Sequence, residues 1–145
     1  MREAGRSAGM GDAETTYDTC LYAPTARSVS RARVRTAEVV QKWGHPEVAQ
    51  DAGLLVSELA TNAVRYGRVA GRLFRVEVRL AGGALRVGVT DARGERRPQV
   101  PEAVGDDDES GRGLLIVAAV AARWGVLPLD VGKTVWAELD LKTLG

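Results

Sequence analysis

The chain reads as an α/β (α+β) two-layer sandwich, a mixed but mostly antiparallel sheet covered on one face by three helices. Three observations predict it. Phe74, Val76, Val78 and Leu80 alternate with Arg75, Glu77 and Arg79, a period of two that gives a strand one core face and one wet face. Ala52, Leu55, Val56, Leu59, Ala63 and Tyr66 recur at helical spacing and form one apolar stripe. The hairpins between the predicted strands are short, which favours antiparallel neighbours. A chain of 145 residues is one domain with room for a real core.

In chain order, residues 1–15 are rich in Gly, Ala, Arg and Glu without any period, so a disordered tail is expected there and a single domain over 16–145. Tyr17 to Ala23 form an edge strand that Pro24 ends. From Ser28 a helix carries Val29, Ala32, Thr36, Val40 and Trp43 at helical spacing, and Gly44 stops it. Arg27, Arg31, Arg35 and Lys42 lie elsewhere around this helix, as a solvated face or as a docking surface for an acidic partner. His45 falls in the turn before Pro46. The second helix runs from about Glu47 to Tyr66, with Gly67 as its stop. Gly82-Gly83 turns the Phe74 strand into Leu85 to Asp91. From about 92 to 112 no hydrophobic period survives, and the segment reads as a lid or as a plain solvated loop. A helix that is apolar nearly all round follows from Gly113, then strands around Trp124–Val126 and Val131–Leu141.

Composition narrows the function classes. Twenty Lys and Arg nearly balance nineteen Asp and Glu, so no global basic field argues for a nucleic acid partner. A single cysteine excludes an internal disulfide and, with a single histidine, cannot build a His/Cys metal cluster. No apolar run has the length of a signal peptide or membrane span, so a cytoplasmic location is expected.

Three features carry chemistry. Glu58 and Asn62 are four residues apart on an otherwise apolar helix, which puts a carboxylate and a carboxamide on one face, at the edge of the apolar stripe. Leaving such groups unpaired beside a core costs about 1–3 kcal/mol each, so local hydrogen bonds or a ligand must satisfy them. Gly111 and Gly113 open an apolar helix, where close backbone approach and the helix dipole favour an anion such as phosphate. Asp91 closes its strand in the inward phase of Leu85, Val87 and Val89, so a carboxylate points to the core side, suited to the exocyclic amino group of a purine. Each has a plainer reading: a satisfied helix-edge pair, a flexible helix start, and a strand-end Asp beginning a turn.

In this order, Glu-x-x-x-Asn, strand-end Asp and Gly-x-Gly helix resemble the N, G1 and G2 boxes of the GHKL (Bergerat-fold) ATP-binding superfamily. Within it the chain looks most like the anti-sigma-factor serine kinases of actinobacterial type. The resemblance runs from about Tyr17 to Leu141 and includes Gly111-Arg112-Gly113-Leu114 and Gly132-Lys133-Thr134-Val135-Trp136-Ala137-Glu138-Leu139. It implies ATP and Mg²⁺ as cofactors, Asn62 as an oxygen ligand to the metal and Glu58 as the general base. It further implies Asp91 at the adenine, Gly111, Arg112 and Gly113 at the phosphates, Gly94 and Leu114 among the cofactor-binding residues, and Thr134 assisting adenine through its hydroxyl. Thr134 is in the outward phase if Val135, Ala137 and Leu139 point inward, an awkward position for that role.

The G1 box also departs from the family's Asp-x-Gly-x-Gly. Arg93 stands in place of the first glycine, and Gly94 falls one place early. Asp106-Asp107-Asp108-Glu109 precedes the phosphate glycines, and carboxylates there repel a triphosphate unless a cation intervenes. Two functions of different class follow. One is an anti-sigma factor with serine/threonine kinase activity toward its antagonist, forming a homodimer and binding a sigma factor. The other is a catalytically silent interaction module that regulates by binding alone. The catalytic domain of a sensor histidine kinase fits less well, because the only histidine lies in a turn and no long dimerisation helix precedes the domain.

Overall fold

The computed structural model describes residues 16–66, 72–91 and 108–141, with side chains from 113 onward in the last stretch. The expected tail, Gly67 and most of the expected lid, including Arg93 and Gly94, lie outside these residues. The element order is β1 (Thr16–Tyr22), α1 (Ala26–Lys42), a 3-10 turn (Pro46–Val48), α2 (Ala49–Tyr66), β2 (Phe74–Ala81), β3 (Ala84–Asp91), α3 (Asp108–Val120), β4 (Arg123–Pro128) and β5 (Lys133–Asp140). The sheet order is β1-β2-β3-β5-β4, and every pairing among the described strands is antiparallel rather than mixed. β1 lies at an edge, as the sequence predicts.

Helix α1 begins where the Thr25 hydroxyl accepts a hydrogen bond from the Ser28 amide at 3.1 Å, an N-cap three residues before the expected start. It ends in a Schellman-type turn: Gly44, at φ 91°, donates to Gln41 O, and His45 donates to Val40 O. The Arg35 guanidinium grips both carboxylate oxygens of Asp18 at 2.9 and 2.8 Å, tying α1 to β1. That takes Arg35 out of the basic face, whereas Arg27, Arg31 and Lys42 remain exposed.

The core lies between one face of the sheet and the helices. Register sets its rows: Val76, Val89 and Val135 form one, Val78, Val87 and Ala137 the next, and Leu80, Leu85 and Leu139 a third. Ala52, Leu55, Val56, Leu59 and Ala63 of α2 close over them as expected, and Ala49, Gly53 and Ala60 are buried too, because α2 packs against α1 as well as against the sheet. Tyr66 departs from the stripe. It is 39% exposed at the last turn of α2, with the Arg65 guanidinium 5.9 Å from its ring centroid.

Two expectations about α3 need correction. The helix begins at Asp108, so Gly111 and Gly113 are its fourth and sixth residues rather than its opening. Acidic residues at a helix N-terminus complement the dipole, which explains the earlier start. Nor is α3 buried on both sides. Val117 is fully buried, but Leu115 is 69% exposed, since α3 packs against α2 with one face.

On the face away from the helices, the Trp136 indole fills the space left by Gly125 and carries the Arg86 guanidinium 4.1 Å from its centroid. Glu138 accepts from Arg123 at 2.8 Å and from Arg86 at 3.0 Å, and these guanidiniums, Arg123 foremost, hold its carboxyl below the usual range.

Candidate functional site

Helices α2 and α3 meet at the residues picked out by their chemistry. A Cβ on Gly113 would lie 3.2 Å from Glu58 Oε1, so the carboxylate rests close against the α3 backbone and would have to shift by a few tenths of an ångström for any larger residue. Asn62 stands one turn further along α2, partly buried like Glu58. Among the described residues neither has an ion-pair or side-chain hydrogen-bond partner. The plainer reading of a satisfied helix-edge pair therefore has no local partner to support it. Gly113 and Leu114 are partly buried on the same helix.

Asp91 is 5% exposed and on the core side of β3, where its inward phase places it. Its neighbour there is Lys133, whose ammonium donates to Asp91 Oδ2 at 2.7 Å across the β3–β5 ladder. The pair continues the core rows one rung beyond Val89 and Val135. A carboxylate so shielded requires a partner, and an ammonium meets its charge.

Thr134 is not brought to this face. Its hydroxyl lies 2.6 Å from that of Thr90, its register partner on the opposite side of the sheet. The outward phase read from the sequence holds, and Lys133 takes the inward position beside Asp91. Sequence reasoning missed Lys133 as a site residue, although a signal existed: Lys133, Val135, Ala137 and Leu139 share one phase of β5. Gly111 and Arg112 belong to α3.

These features suit a nucleotide. The glycine at the α2–α3 contact leaves backbone open to a close-lying group, the carboxylate and amide beside it lack other side-chain partners among the described residues, and a nearly buried charged pair stands at the strand ends. Among the described residues no cluster of three or more His, Cys, Asp or Glu could hold a metal by itself. A divalent cation here would draw most of its oxygen ligands from phosphate and water. No described helix is long and apolar enough to cross a membrane.

Comparison with known proteins agrees with the architecture. The solved RsbU and RsbW domains of Rv1364c from Mycobacterium tuberculosis superpose with a TM-score of 0.65 over 91% of this chain and 34% of that one, at 20% identity, a likeness of fold. The uncharacterized protein SCO4941 of Streptomyces coelicolor is 51% identical over 47 residues, 32% of this chain and 45% of that protein, so the match spans less than half of the relative. Residues 22–138 match the histidine kinase-like ATPase domain, most of the chain and all of the elements that build the site, and the protein belongs to that family.

Proposed function

We propose that the protein is an ATP-dependent serine/threonine kinase that binds a sigma factor and phosphorylates its antagonist in the cytoplasm, working as a homodimer. Family membership implies ATP binding. The observation that carries the finer reading is the meeting of Glu58 with Gly113, which joins a carboxylate to the glycine of the phosphate helix. Bound Mg²⁺ would supply charge neutralisation at the phosphates. Asn62 would supply it one amide oxygen. Glu58, half-buried and without another partner among the described residues, would accept the proton of the attacking serine hydroxyl; that role demands reach more than a shifted pKa. Gly111, Arg112 and Gly113 would hold the phosphates. Arg27, Arg31 and Lys42 on α1 would receive an acidic surface of the partner protein.

The second reading, a silent interaction module, draws on Lys133, which already engages the carboxylate expected to read adenine. Phosphotransfer to candidate antagonists separates the two. Asn62→Ala should abolish the Mg²⁺-dependent part of ATP affinity, and Glu58→Gln should spare binding while lowering phosphotransfer by about a hundredfold or more. Equal ATP affinity in wild type and Asn62→Ala would overturn the metal assignment. Binding without any transfer by the wild type would leave the silent module.

A further inference from the structure

Among the described strands β4 leaves one edge of the sheet open, and its backbone fixes what that edge can bind. At the two ends of the β4–β5 ladder, Leu129 donates to Gly132 O at 3.0 Å and Ala122 to Glu138 O at 2.7 Å. Bonds alternate along an antiparallel pair, so Gly125 and Leu127 turn their backbone groups to β5 while Trp124 and Val126 turn theirs outward. Pro128 shares the outward phase, where its missing N–H costs the ladder nothing. The side chains repeat the pattern of an unfinished sheet. Trp124 and Val126 lie on the helix side, in the rows of Ala137 and Val135, yet are 37% and 44% exposed. Leu127 is exposed on the other side. Edge strands are ordinarily guarded by charge. From Trp124 to Leu129 there is none, and Arg123 before them is already neutralised by Glu138 and Asp140.

We propose that β4 is a self-association strand, which pairs antiparallel with β4 of a second copy and runs the two five-stranded sheets into one. A two-fold axis between the strands makes the contact isologous. The outward groups single out one register. Trp124 stands opposite the partner's Val126, the two exchanging N–H···O bonds, and Gly125 stands opposite the partner's Gly125. Centring the pair on Val126 instead sets Trp124 against a proline and loses a donor at each end. In the favoured register the indole and the isopropyl group cover one another on the helix side, an aromatic and β-branched cross-strand pair. On the opposite side the facing glycines put no side chain between the two Trp136 rings that cover them. The occupant is a second copy rather than an unrelated strand because the same two residues supply both halves of the match. The inference rests on the homodimer reading above and on none of the roles at the nucleotide site.

Sedimentation equilibrium of the full chain tests it. The wild type should form a dimer. Val126→Pro removes an outward N–H and no bond to β5, and Val126→Lys sets a charge on the open edge. Each should weaken the dimer by about tenfold or more while keeping the far-ultraviolet circular dichroism of the wild type. Should Val126→Pro fail to fold, Val126→Lys decides alone, because its side chain leaves from an exposed position. A dimer that the variants leave intact overturns the inference, and the homodimer reading then stands on another surface. A wild type that stays monomeric at about a hundred micromolar overturns both, with the nucleotide reading untouched.

Discussion

Gly113 separates folding from chemistry at a single position. Its backbone is in the ordinary helical range rather than at positive φ, so alanine there meets no conformational penalty and should add up to about 1 kcal/mol of helix propensity. The new Cβ would stand 3.2 Å from Glu58 Oε1, close enough to force the carboxylate aside. Gly113→Ala should therefore leave the melting temperature unchanged or raised while lowering phosphotransfer. Loss of stability with full activity would show that Glu58 does not act from where it rests. The sequence marks Glu58, Asn62 and Asp91 by residue type and spacing alone. It does not reveal what stands opposite Asp91, because a pairing partner 42 residues away depends on strand order.

Among the elements, β4 shows how a strand is held to an edge. Among the described strands only β5 pairs with it, and Gly125 lies under the Trp136 ring so closely that a Cβ would come within 2.9 Å of the indole. The ring is held in turn by Arg86 and cannot yield cheaply. Gly125→Ala should cost about 1–3 kcal/mol in denaturant unfolding, the range for overpacking a close contact. A neutral result would mean that β4 moves outward and that its pairing contributes little. The helix spans were legible to within about two residues from caps and periodicity. The exception is α3, whose acidic start contains no apolar period and so reads as loop until the helix is seen to begin at Asp108.

For the molecule as a whole, one apolar cluster joins α1, α2, α3 and the sheet, so it should unfold as one unit. Leu59, 1% exposed, lies within that cluster. Leu59→Ala should cost about 2–5 kcal/mol, with far-ultraviolet circular dichroism and tryptophan fluorescence reporting the same midpoint. Separate midpoints would mean that the helical layer opens apart from the sheet. The amino-acid sequence by itself determined the fold class, the alternation of buried and wet positions, the inward phase of Asp91 and the outward phase of Thr134, because periods of two and of 3.6 are local properties of the chain. Tertiary structure alone decided the strand order, the Asp91–Lys133 pair, the contact of Glu58 with Gly113 and the exposure of Tyr66 and Leu115. Each of these depends on which distant segments meet, and periodicity states which way a side chain faces without naming what it will find there.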